Sequence, residues 1–159
     1  MGAVRRLLVL APLALLSACG GGGPAGPCHG RSGDEQVICR WTESLRHGDA
    51  RTAAGYFSVP AIVQNGPQPL RLRSRGAVLA FNESLPCGAR LIGTRLEGRY
   101  TVASFRLTER PGGDCGAGVG GTASTAFLIE RSHIKVWLRV PEAGALPQPG
   151  PAPAPGAVV

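Results

Sequence analysis

The sequence predicts an α+β domain in which helices pack on one side of a curved antiparallel sheet. Three observations carry this expectation. Apolar residues recur at helical spacing through Glu35–His47. A glycine stop and a short alanine-rich helix then lead into a strand, and four long strand-like runs separated by turn signals fill residues 89–140.

In the first helix Val37, Ile38, Trp41 and Leu45 share a face opposite Glu35, Arg40, Glu43 and Arg46. Asp34, or failing it Ser32, can cap its start by accepting from backbone N–H groups of the first turn. Gly48 closes it, because glycine takes the left-handed stop conformation without strain. Asp49 then caps a second helix, Ala50–Phe57, with Ala53, Ala54 and Phe57 against the first. Ser58–Asn65 reads as a strand that Pro60 confines to a sheet edge. Leu70–Ser74 pairs with it across the Gly66-Pro67 turn, and Ser74 caps a third helix, Arg75–Leu85, ended by Pro86.

Strands follow at Ala89–Leu96, Arg99–Glu109, Thr122–Glu130 and His133–Val140. A two-residue turn at Glu97-Gly98 sets Leu96 opposite Arg99 and Cys87 opposite Thr108. In that register Ile92, Thr94, Leu96, Thr101, Ala103, Phe105 and Leu107 face the helices, and Leu91, Arg95, Tyr100, Val102, Ser104 and Arg106 face out. In the last strand Ile134, Val136, Leu138 and Val140 share the inner face, with Lys135, Trp137 and Arg139 outside. There Trp137 can stack on Arg95 or Arg106. This half-polar outer face is the surface expected to pair with a second copy or an envelope protein.

The order of helix, Gly48-Asp49, alanine-rich turn, Tyr56-Phe57 and a strand ending Asn65-Gly66 resembles the opening of nuclear transport factor two-like (NTF2-like, or SnoaL-like) families. The resemblance covers about residues 34–141. It implies a conical pocket with the first helix as one wall. It further implies that an enzyme of this class would hold a carboxylate general base inside the cone, sometimes with a tyrosine acid.

The N-terminus sets location. Arg5 and Arg6 precede an apolar run, Leu7–Leu16, that is short of the ~20 residues a membrane span needs. Leu16-Ser17-Ala18-Cys19 resembles the lipobox of bacterial lipoproteins. By that resemblance residues 1–18 are a signal peptide and Cys19 is the lipid-modified first residue, anchoring the protein outside the cytoplasm. A secreted protein with an incidental Cys19 is the alternative. Residues 19–33 read as a flexible tether, and the Pro/Ala/Gly-rich residues 142–159 as a disordered tail.

Removing the first 18 of 159 residues leaves 141, with a formal charge of +5 against +7 for the whole chain. The arginines are scattered rather than blocked. Outside the membrane, lipid headgroups or wall polymers are more plausible counterparts than nucleic acid, so no nucleic-acid partner is expected. Four further cysteines lack metal-type spacing, and neither metal nor cofactor is expected. Cys87 and Cys115 come within reach across the hairpin. Their bridge closes about 28 residues, worth about 3–4 kcal/mol on the chain-entropy model. Cys28 and Cys39 form the remaining pair.

Candidate chemistry is sparse. Asp49 reads first as a helix cap, and Glu83 is the one helical acid within reach of a pocket mouth; with Tyr56 they are the only catalytic candidates. No acid falls mid-strand on the inward face. Trp41, Tyr56, Phe57, Asn82, Phe105 and Phe127 are the expected pocket lining, suited to a hydrophobic small molecule. The leading reading is a lipid-anchored envelope protein that binds or scaffolds without catalysis. The competing one is a SnoaL-like isomerase, cyclase or hydrolase.

Overall fold

A computed structural model describes residues 26–141. The expected signal peptide, Cys19, the first part of the expected tether and the expected tail lie outside the described residues. Helix α1 (Gly33–Arg46) buries Val37, Ile38, Trp41 and Leu45, the stripe its spacing dictates. Ser32, not Asp34, holds the N-cap position, and its side chain makes no capping bond. Asp34 lies inside the first turn, where its carboxylate accepts a 2.7 Å hydrogen bond from Thr101 Oγ1 and ties the helix to the sheet. Gly48 follows at φ +80°, and a Cβ there would also stand 2.8 Å from Pro111 Cβ. Two separate constraints therefore require glycine.

Helix α2 (Ala50–Gly55) begins where Asp49 accepts 2.9 Å from the Thr52 N–H. It stops two residues earlier than expected. The Tyr56 carbonyl accepts from Ile134 N at 2.8 Å, and this sheet bond draws Phe57 into strand β1 (Phe57–Gln64). Strand β2 (Leu70–Leu72) pairs antiparallel with β1, Ala61 opposite Leu72. Helix α3 (Arg75–Ser84) starts where Ser74 Oγ accepts from Ala77 N. Strands β3 (Gly88–Glu97), β4 (Tyr100–Thr108), β5 (Thr122–Glu130) and β6 (His133–Val140) complete a curved six-stranded sheet of order β2-β1-β6-β5-β4-β3.

That order corrects two expectations. The sheet is mixed rather than antiparallel throughout, because β1 runs parallel to β6, while α3 follows β1 and β2 as the order of the sequence signals has it. Pro60 does not mark an edge, since β1 has a neighbour on each side. It falls instead in the register irregularity between Phe57 and Ile62, where a missing N–H costs no ladder bond.

Two further irregularities decide which residues face inward. The β3–β4 turn is Gly98-Arg99, with Glu97 opposite Tyr100, one residue beyond the expected turn. The register then shifts between Leu91 and Gly93. Leu91 consequently pairs with Phe105 and packs on the core, while Ile92 is 53% exposed, the reverse of the expected assignment. In β6 the shift lies opposite Leu128/Ile129 and makes Lys135 the extra residue. Ile134 lies inward ahead of it and Trp137 after it. Val140 packs on the outer face with Val102 and Ala126, beside Leu138.

The core between α1, α3 and the sheet is aromatic. Trp41 meets Phe57, Phe105, Phe127 and Trp137 edge-on at centroid distances of 5.5–6.5 Å. Phe81 closes on Phe57 and Trp137. Such pairs contribute about 0.5–1.5 kcal/mol each beyond the area they bury. Disulfides join Cys28 to Cys39 and Cys87 to Cys115. The first ties residue 28, in the expected tether, to α1.

Candidate functional site

The aromatic packing fills one end of the space under α1 and leaves the other end open. There the residues opposite the helix are small: Ala89 on β3, Ala123 and Thr125 on β5. Trp41, Thr42 and Leu45 form the helical wall, and Phe105 and Leu107 on β4 with Trp137 and Arg139 on β6 continue the sheet wall. Leu85, Pro86 and Cys87 make the rim, held by the bridge to Cys115. Together they enclose a cavity of about 110 Å³ that opens to solvent. Arg110, buried under this rim, donates to the carbonyls of Asn82 and Glu83 at 3.2 and 3.1 Å and so satisfies the end of α3.

Of the expected lining residues, Trp41 and Phe105 face this cavity. Phe57 and Phe127 are fully buried in the packed end. Asn82 is fully buried too; its Oδ1 accepts from Trp41 Nε1 at 2.9 Å and its Nδ2 donates to Val78 O. Tyr56 lies on a separate open groove with Arg40, Glu43 and His47. Glu83 is exposed and outside the lining. Asp49 is a solvent-facing helix cap, and hydrogen bonding from Thr52, side chain first and then backbone, holds its carboxyl below the usual carboxylate range. The three catalytic candidates therefore do not converge. Glu43 is likewise engaged, its carboxylate 2.6 Å from Arg46.

Besides Thr42, Asn65 and Thr125, the cavity's polar groups are two that alternation along β6 places outside. Trp137 is 5% exposed and belongs to the core, which excludes the stacking expected with Arg95 or Arg106. Its Nε1 is buried and has no partner among the described residues. Arg139, two residues on, is the one ionisable side chain of the lining. It makes no side-chain hydrogen bond or ion pair among the described residues. Only the Lys135 bulge turns both residues to this side, and a lysine carries no sequence signal for a bulge.

No family model matches the chain, and no curated protein does. Solved structures do. An NTF2-like protein of unknown function from Cytophaga hutchinsonii matches with a TM-score of 0.53 at 9% identity, over 69% of this chain and 90% of that one. A candidate polyketide cyclase from Sinorhizobium meliloti matches at 0.52 and 14% identity, over 65% and 93%. A protein of ketosteroid isomerase-like fold from Catenulispora acidiphila, in complex with trimethylamine, matches at 0.51 and 7% identity, over 65% and 83%. The fold is NTF2-like. At these identities the likeness extends to the backbone alone. Among the described residues no helix is long and apolar enough to cross a membrane, and the two disulfides fit an oxidising, extracytoplasmic setting.

Proposed function

We propose that this chain is a lipid-anchored protein of the cell envelope whose NTF2-like domain holds a hydrophobic small molecule and does not transform it. One observation carries the reading: the cavity lining is mostly apolar, its polar members are the neutral Thr42, Asn65 and Thr125 with a single cation, Arg139, and it holds no carboxylate. General-base catalysis needs a proton acceptor within hydrogen-bond reach of its substrate. Asp49, Glu83 and Tyr56 all stand outside the lining. Anchoring rests on the lipobox resemblance at Cys19, and the disulfides support a location outside the cytoplasm.

Native mass spectrometry of the full chain purified from its own membrane tests this reading. A diacylated Cys19 and a retained small molecule are expected, with the small molecule lost from an Ala123→Trp variant that fills the cavity. A bare cysteine would remove the anchor. An empty protein that also ignores added apolar probes would remove the binding role.

A further inference from the structure

Resting on the small-molecule reading of the cavity, we infer that its occupant is an apolar monocarboxylate, with its acid group on Arg139 and Trp137 and its hydrocarbon body against Trp41, Leu85 and Phe105. Thr42, Thr125 and Asn65 in the lining can donate or accept, but the two strongest donors there cannot accept at all. Indole N–H is a donor only, and guanidinium offers five donors and no acceptor. Trp137 Nε1 is buried without a partner among the described residues, as are Thr108 Oγ1 and Arg110 Nε, and of these three residues Trp137 alone lines the cavity. Arg139 lines the same cavity at its exposed mouth. Two residues along one strand face are separated by about 6.6 Å, well within the reach of an arginine side chain. One carboxylate can accept from both.

Charge and size narrow the class. A guanidinium fork matches a carboxylate in two parallel hydrogen bonds. With one cation and no second basic residue in the lining, a monoanion is balanced and a phosphate dianion is not. A cavity of about 110 Å³ is somewhat smaller than the ~150 Å³ engineered cavity that takes up benzene. The enclosed body is therefore about one ring or a chain of five or six carbons, and anything longer extends through the mouth.

The test uses full-length protein in phosphatidylcholine nanodiscs, titrated with hexanoate and with hexanamide, its uncharged isostere, and followed by tryptophan fluorescence and calorimetry. Hexanoate should bind at least tenfold more tightly. Arg139→Gln, a change at an exposed site, should bring the two ligands within twofold of each other, and Trp137→Phe should weaken hexanoate by about fivefold. Equal binding of acid and amide to the native chain, or an undiminished preference for the acid in Arg139→Gln, would overturn the anion assignment while leaving an apolar site in place. Binding of neither ligand would sink both this inference and the small-molecule reading beneath it.

Discussion

The two tryptophans of this domain stand 6.5 Å apart, ring to ring, and mark two differently built ends of one layer. Trp41 belongs to the packed end, where its N–H is received by Asn82 and its ring is ringed by phenylalanines. Trp137 is as deeply buried, yet its N–H meets nothing among the described residues, and the sheet beside it is lined with alanine and threonine. At the packed end Trp41 and Asn82 satisfy one another, and the open end leaves a donor and a space together. A stable core removes such defects, because an unpaired buried donor costs about 1–3 kcal/mol. Their coincidence at one end is what separates a site from a packing fault.

The largest test is at the packed end. Trp41→Ala should cost about 3–5 kcal/mol in urea unfolding, a large part of what holds a domain of this size together. Trp41→Phe, which keeps much of the volume but orphans Asn82, should cost about 2 kcal/mol. A loss below about 1 kcal/mol would show that the ends are not built differently. Next is the rim: Cys87→Ser with Cys115→Ser opens a loop spanning 28 residues and should cost about 3–4 kcal/mol on the chain-entropy model. The bridge between Cys28 and Cys39, which spans 11, should cost about 3 kcal/mol by the same model. Trp137→Phe comes third. It removes the orphan donor along with some volume, so its cost should stay within about 1 kcal/mol, well below that of Trp41→Phe.

The smallest effect lies outside both ends and serves as their control. The folded state holds the Asp49 carboxyl below its ordinary value of 3.8. Its contribution is therefore complete above that pH and lost as pH falls through the lower folded value. Asp49→Asn keeps a capping acceptor and should flatten this acid limb of the stability curve without altering stability at neutral pH. An unchanged acid limb would return Asp49 to the list of groups in need of another role.

Much of the fold was legible because local chemistry declares it. Helical spacing, the caps at Asp49 and Ser74 and the stop at Gly48 place the helices within a few residues, and β5 and β6 begin and end where their composition says. The Cys87–Cys115 pair followed from hairpin reach, even though the register was off by one, and Cys28–Cys39 was the pair left over. What was not legible is which side of the sheet each residue occupies. A bulge inserts one residue and reverses every side chain beyond it, and neither Ile92 nor Lys135 differs in type from an ordinary strand residue. Gly93, beside the first bulge, was the only hint. The open end suffers most from this. Trp137 and Arg139 follow the bulge in β6, so strict alternation sends both to the wrong face.

The position of Lys135 carries an evolutionary consequence. Loss of its single codon would remove the extra residue and leave the pairs on either side of it, Ile134 with Ile129 and Val136 with Leu128, as they are. Ile134, the indole and the guanidinium would then share one face by plain alternation. Among proteins sharing this backbone, a last strand one residue shorter could therefore present the same wall to the cavity with no irregularity at all.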